Sequence, residues 1–406
     1  MSEEPELYSI VPLMQAAELA SLRGNPSAIG AFNVNFYAQA EGILEGLYKA
    51  EASGIIQASR GANKFQGGAD KIQYMVLKAM KDMNINFPIA LHLDHGDEKS
   101  AKDCVDKGFS SVMIDASKLD ELQNLEATKE IVGYAHAKGV SVEGEYGKLA
   151  GVEEDVAHEK TSYADPKFVP AFFSRSKVDA LAVAYGTSHG PNKGKTNALN
   201  VGIVSDSYAG MKANHQNLDH FLVGHGSSTV PNELVEEINQ YGGSLKGTSG
   251  VPDYMIKAAI KEGIRKVNID TDLRLGITAT FRKYFKDHPD VDKNSEILSV
   301  IKKVFTGETP AKDKDGNPVD SGSLVDPRSY LEPVIKIDPQ LLRENYRSLK
   351  DEAFIEVMIL VKNRIAEHVK NLAIMFGSAG LAGSVDSRLT LEEMKKRYCL
   401  GSGLEL

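Results

Sequence analysis

Three histidines stand in settings that suit metal chemistry: His95 in LHLDHG, His189 in AYGTSHG and His225 in LVGHGSS. They are widely separated along the chain, and each is followed by glycine. Imidazoles gathered from separate segments leave zinc a fourth, open position, as catalytic sites require and structural sites do not. A lone histidine is more often a satisfied polar residue, but three in matching settings reverse that preference. His92 lies three residues before His95, so an extended strand turns the two to opposite faces, and His92 is read as packing or as support behind a ligand. The remaining six, His136, His158, His215, His220, His288 and His368, occupy helix-like or loop contexts and are assigned to the surface.

Glycines beside these histidines let backbone N–H groups approach an anion closely. Gly226-Ser227-Ser228 is one such cradle. Asn268-Ile269-Asp270-Thr271 is a second, running into a helix whose N-terminus favours phosphate; a helix cap is the bland alternative for Thr271. Lys193, just beyond His189, adds a cation to the same pocket. Among the carboxylates, Asp94 can transfer protons next to a metal held by His95, or it can simply orient the histidine. Glu153, in LAGVEEDVAHE, sits on a glycine-flanked segment able to move, or on a merely solvated acidic loop.

Short apolar or β-branched runs at 28–33, 54–58, 89–93, 111–114, 141–145, 180–184, 221–223 and 266–269 alternate with helix-like stretches such as 39–53, 70–81, 122–138 and 253–262. Eight βα units over a span of about 250 residues predict an α/β fold, a closed TIM (β/α)8 barrel. Barrel chemistry sits where strands end. In order, the strands end in or just before Asn33, Ser59, Asp94 with His95, Asp115, Glu145, His189, His225, and Asn268 with Asp270, so polar groups converge on one rim. The barrel is expected over 1–290. A mainly helical C-terminal extension follows over 291–406, with a polar loop at 312–323 and helical patterning over 341–373, for packing or oligomer contacts. DKDG at 313–316 lacks calcium-loop spacing and reads as a turn; GSAGLAGS at 377–384 reads as a linker or helix C-cap.

The 406 residues are 42% hydrophobic and 25% charged, enough for a large core, and the net charge of −9 argues against wrapping a polyanion such as nucleic acid. Cys104 and Cys399 provide neither a disulfide framework nor a cysteine metal site, which fits a reducing cytoplasm. Neither a signal peptide nor a membrane span is expected from the apolar pattern.

The ordered motifs GAFNVNF, HLDHG, SVMIDAS, VEGEYGKLAG, GTSHG, HGSS and KVNIDTDLR resemble the class II (zinc-dependent) fructose-bisphosphate aldolases of the longer bacterial type, over most of residues 28 to 290. The resemblance implies that His95, His189 and His225 hold catalytic zinc, and that Asp94 gives and takes the proton at the substrate's C4 oxygen. Glu153 matches the mobile-loop glutamate that moves the C3 proton, although Val152 stands where some relatives have glutamate. Asp115 and Glu145 match a second divalent metal position. Ser59, Gly190, Gly226, Ser227, Ser228, Asn268, Asp270 and Thr271 match substrate-binding positions, Asn33 a rim position, and Arg328 in DPRSY a residue for the second phosphate. A monovalent cation near the phosphate and a homodimer or homotetramer are also implied.

The segment STVPNELVEEINQYGGSLKGT interrupts the pattern of shorter members. The implied reaction is reversible cleavage of fructose 1,6-bisphosphate to dihydroxyacetone phosphate and glyceraldehyde 3-phosphate through a zinc-stabilised enediolate. Tagatose- or sedoheptulose-bisphosphate cleavage, a zinc-dependent barrel hydrolase and a noncatalytic phosphosugar-binding protein are the alternatives.

Overall fold

The computed structural model describes residues 4–148, 162–188, 199–214, 219–312 and 316–402, together with the backbone of 151–153 and 156–158. Eight strands carry the architecture: β1 (Ile29–Asn33), β2 (Gly54–Ser59), β3 (Ile89–Gly96), β4 (Ser111–Ile114), β5 (Ser141–Tyr146), β6 (Ala180–Val183), β7 (Phe221–Gly224) and β8 (Ile264–Ile269). Each is parallel to its neighbours, and β8 returns to β1, which closes the barrel. Every strand residue is buried, because the inner face fills the barrel and the outer face meets helices. The expected fold class is the one observed. Among the strands the largest boundary difference is at β3, which continues to Gly96 through an irregularity between Leu93 and Gly96 rather than stopping at residue 93, and the helix expected over 39–53 ends earlier, as Tyr37–Lys49.

Alternation along the strands divides the core in two. Phe32, Ile56, Leu91, Leu93, Val112, Val142, Leu181, Leu222, Val267 and Ile269 join the cluster under the surrounding helices. Ile29, Ala31, Ile55, Ala90, Ala180, Ala182, Phe221 and Val223 instead cluster with Ile10, Val11, Leu13, Met14, Ala16 and Ala17. The helix Ile10–Leu22 therefore plugs the N-terminal mouth of the barrel, and the alanines on the inner face leave room for it. The sequence pattern did not single out this helix.

The C-terminal residues share the barrel's core. Tyr330, Leu331, Phe354, Val357, Val361, Ile365 and Val369 belong to the same hydrophobic cluster as the outer strand residues. The helix Glu352–Met375 lies against Tyr37–Lys49 and Thr271–Asp287. Its approach to the first of these requires glycine: a Cβ on Gly42 would stand 2.7 Å from Lys362 O, and one on Gly46 2.5 Å from Ala366 O. The helical pattern expected over 341–373 is broken by the short turns Gln340–Arg343 and Tyr346–Ser348 before this helix begins. Gly377 takes φ 72° just past the helix end, a C-cap rather than a linker. Residues 313–315 of the DKDG turn lie outside the described residues.

Cys104 is buried and Cys399 half-buried. No helix among the described residues is long and apolar enough to cross a membrane.

Candidate active site

In a regular strand, Asp94 and His95 would face opposite sides of the sheet. The irregularity in β3 changes this: His95 adopts φ 50°, uncommon for a non-glycine residue, and both side chains reach the C-terminal rim of the barrel. His92 also points inward, so the expectation that His92 and His95 face opposite ways is corrected by the same kink.

Asp94 is fully buried and receives three side-chain amides: Asn33 Nδ2 and Gln57 Nε2 at 3.0 and 3.2 Å on Oδ2, and Asn268 Nδ2 at 3.3 Å on Oδ1. These donors stabilise the carboxylate and fix its direction. His95 Nδ1 lies 3.0 Å from Asp115 Oδ2 and 3.5 Å from Glu145 Oε2. His225 Nε2 lies 2.7 Å from Glu143 Oε1. Carboxylates only accept, so Asp115 and Glu143 draw the ring protons to those nitrogens. The opposite nitrogens, His95 Nε2 and His225 Nδ1, face each other at 3.1 Å.

The electrostatics fit a cation. Burial works against a charged His95, but the Asp115 hydrogen bond and the Asp94 and Glu145 carboxylates outweigh it and push its pKa up to about 10. Burial outweighs Glu143 at His225 and lowers it, which keeps that ring neutral. Burial and then the neighbouring Asp115 carboxylate push Glu145 well above the usual range, whereas the His95 contact overcomes burial and holds Asp115 well below it. Glu145 Oε2 is buried with no hydrogen bond. Surroundings that hold a proton this firmly favour a divalent ion for the same Coulombic reason. Two groups have metal-ligand proximity, with donor atoms all within 4.8 Å of one another: Asp94, His95 and His225, and His95, Asp115 and Glu145. Nitrogen and carboxylate donors of this kind suit zinc and other borderline ions.

Beneath this layer the barrel holds charge. Lys266 Nζ lies 2.8 Å from Glu143 Oε2, and His92 lies 3.6 Å from the same oxygen, with its Nδ1 2.8 Å from Ser111 Oγ. All three side chains are fully buried. Burial opposes ionisation of Glu143, but the Lys266 ammonium and the His225 bond hold its carboxyl well below the usual range. Burial and Lys266 push His92 well below its ordinary value, so it stays neutral.

Beside the histidines, Gly226 takes φ 61°, and a Cβ there would meet Ser188 O at 2.7 Å. Ser227 and Ser228 are buried, and Ser228 Oγ accepts the Asp270 N–H at 3.3 Å. The helix Thr271–Asp287 begins directly after β8 with Asp270 in the cap position. Thr271 is therefore its first residue rather than the cap, and this N-terminus opens next to the 226–228 loop.

A family model for class-II fructose-bisphosphate aldolase matches residues 16–380. The chain belongs to the class II fructose-bisphosphate aldolases. It is 42% identical over 274 residues to a fructose-bisphosphate aldolase of Giardia intestinalis, covering 67% of this chain and 82% of that protein. It is 39% identical over 281 residues to one from Thermus caldophilus, covering 67% of this chain and 87% of that protein. Among solved structures, the YdjI aldolase from Escherichia coli K12 superposes with a TM-score of 0.59 at 21% identity, over 94% of this chain and 100% of that one. The fructose-bisphosphate aldolase of Campylobacter jejuni does so at 0.58 and 19%, over 93% and 98%. These two share the fold.

Within the aldolase site, Asn33, Asp94, His95, Asp115, Glu145, His225 and Asn268 come together as the strand ends predict. Ser59 ends β2 and caps the helix Arg60–Gln66, accepting the Ala62 N–H at 3.1 Å. Arg328 is bound to Asp326, which also binds Arg274 at 3.0 Å; Arg274 in turn grips Asp270 at 2.6 Å. A chain of alternating charges thus runs from Arg328 to the rim. His189, Gly190 and Lys193 lie outside the described residues, as does the side chain of Glu153. The backbone at Glu153 belongs to a short hairpin, Gly151–Glu153 with Val156–His158, rather than an irregular loop.

The surface assignment holds for His288, but His136, His220 and His368 are half-buried against partners such as Asp179, Phe173 and Asp272. His215 and the side chain of His158 are outside the described residues. Sequence reasoning missed Gln57, Glu143 and Lys266. Each lies two residues before a rim residue, Ser59, Glu145 and Asn268, and period-two alternation would have found them.

Proposed function

We propose that this chain catalyses the reversible aldol cleavage of fructose 1,6-bisphosphate to dihydroxyacetone phosphate and glyceraldehyde 3-phosphate, with zinc as its catalytic metal. The observation that carries the reading is the meeting of His95 Nε2 and His225 Nδ1 at 3.1 Å beside a buried Asp94 held by three amides. His95, His225 and, from the motif GTSHG, His189 are the proposed ligands, with Asp115 and Glu145 a second divalent position reached through the other nitrogen of His95. Bound there, the ion supplies Lewis acidity to the ketose carbonyl and the adjacent hydroxyl. Asp94 takes the C4 hydroxyl proton as the C3–C4 bond breaks, and its amide donors keep the carboxylate aimed while it does so. Glu153 returns a proton to C3. Gly226, Ser227, Ser228, Asp270 and Thr271, with Gly190 and Lys193, receive one phosphate. Asn33, Ser59 and Asn268 position the sugar, and Arg328 meets the second phosphate. A monovalent cation belongs near the first phosphate.

The further reading is a cytoplasmic homodimer or homotetramer, supported by the family and by exposed apolar side chains such as Tyr254 and Leu122. Residues 291–406 are proposed as an extension that packs on the barrel or serves subunit contacts.

A lysine Schiff base is not required, because Lys266 is engaged with Glu143 below the rim. The test is a coupled assay of fructose 1,6-bisphosphate cleavage before and after chelation, with Asp94→Ala in parallel. Activity is expected to vanish on chelation and return with zinc, and Asp94→Ala is expected to lose about 10²–10⁴-fold in kcat. Chelator-resistant turnover, or inactivation by borohydride with dihydroxyacetone phosphate, overturns the reading.

A further inference from the structure

The loop that follows His225 has a support that lies outside the reacting centre. Thr229 N–H and its hydroxyl donate to Asp272 Oδ2 at 2.9 and 2.8 Å, and Val230 N–H donates to Oδ1 at 2.8 Å. Val230 is held at φ 47°, a conformation a β-branched residue adopts only under constraint. Gly250 crosses this peptide so closely that a Cβ would stand 2.0 Å from Thr229 O, and Val251 N–H binds Ser228 O at 3.0 Å. Asp272 is fully buried. Behind it stands His368, on the helix Glu352–Met375, with its buried Nε2 3.6 Å from Asp272 Oδ2 and without a closer polar partner among the described residues. A cavity of about 100 Å³, lined by Pro231, Leu273, Arg364 and His368, occupies the remaining space behind the carboxylate.

We propose that Asp272, backed by His368, is a positioning residue that holds the 226–230 loop in its phosphate-receiving shape. The C-terminal helix thereby acts on substrate binding although it contributes nothing to the rim. One carboxylate gathers two N–H groups and a hydroxyl on the inner side of the loop, which leaves the preceding Gly226-Ser227-Ser228 segment turned outward to an anion. This inference rests on the phosphate-binding role proposed above for that segment.

The test compares wild type, Asp272→Asn and His368→Ala, using fructose 1,6-bisphosphate as substrate and inorganic phosphate as competitor, with bound zinc measured on each. Asparagine can accept one of the two N–H groups but faces the other with its own NH2. Asp272→Asn is expected to raise KM and the phosphate inhibition constant about tenfold, with kcat changed by less than about twofold and zinc content unchanged. His368→Ala is expected to shift the same two constants about threefold. A folded Asp272→Asn with unchanged KM, or one that loses kcat at constant KM, overturns the inference. Should that variant not fold, His368→Ala decides: parallel rises in KM and the phosphate constant support it, and their absence overturns it. Failure of wild type to cleave the bisphosphate would remove the underlying function instead, so the two failures are distinguishable.

Discussion

Glu143 and Lys266 place opposite charges in the middle of the barrel, where apolar side chains of similar volume would pack at lower desolvation cost. Their position under His225 supplies the reason. Glu143 fixes which nitrogen of His225 carries the proton and so which one would face the proposed zinc, and Lys266 keeps Glu143 ionised. Glu143→Gln should therefore weaken zinc binding by about 10–100-fold, read by competition with a chromophoric chelator. An unchanged zinc affinity in a folded variant would refute this role. Asp94, His95 and His225 were legible because each ends a strand in a distinctive motif. Alternation puts Gln57 and Glu143 on the same face as Ser59 and Glu145 one layer down, but which side chains they meet there, Asp94 and His225, was not legible. The turn of His95 toward the rim was likewise hidden, because it depends on backbone geometry at one residue.

Among the elements, Ile10–Leu22 is the one whose role was least visible. Ile10 through Met14, Ala16, Ala17, Glu18 and Ala20 are all buried, so the helix has no wide polar face to set up a period. Its anchor is Glu18, which is bound by Arg265 Nε at 2.5 Å, Tyr208 Oη at 2.6 Å and Lys212 Nζ at 3.0 Å. Burial opposes its ionisation, but Arg265, Tyr208 and Lys212 prevail and hold its carboxyl below the usual range. A depressed folded pKa means stability that is fully present above the ordinary value of about 4.3 and lost as pH falls through the folded one. Glu18→Gln should cost about 3 kcal/mol at pH 7, and the gap from wild type should narrow below about pH 4. Urea unfolding at both pH values measures it; a gap that does not depend on pH would contradict the ion-pair account. The helices at Ala69–Asp82 and Asp253–Glu262 were readable within a residue, since each shows an apolar stripe on one side only.

At the scale of the molecule, the C-terminal helix completes the barrel's outer layer. Phe354, Val357, Met358, Val361, Ile365, Val369 and Leu372 are buried on Glu352–Met375. At about 1.5–3 kcal/mol for each large side chain, their loss exceeds most of the roughly 5–15 kcal/mol that holds a typical domain together. A chain ending at residue 350 is therefore expected not to reach the native state, seen as loss of a cooperative melt by circular dichroism. A cooperative melt near the full-length midpoint would show instead that the extension is dispensable for folding. What the sequence by itself determined was the barrel and the positions of its strands, together with which of the described residues stand at the strand ends, because alternation and motif spacing are local and repeat eight times. The tertiary structure alone decided the plug at the N-terminal mouth, the meeting of Glu143 with Lys266 and His225 inside the barrel, and the approach of His368 to Asp272 behind the 226–230 loop. Those contacts join residues that are distant along the chain, and no local period records which of them will meet.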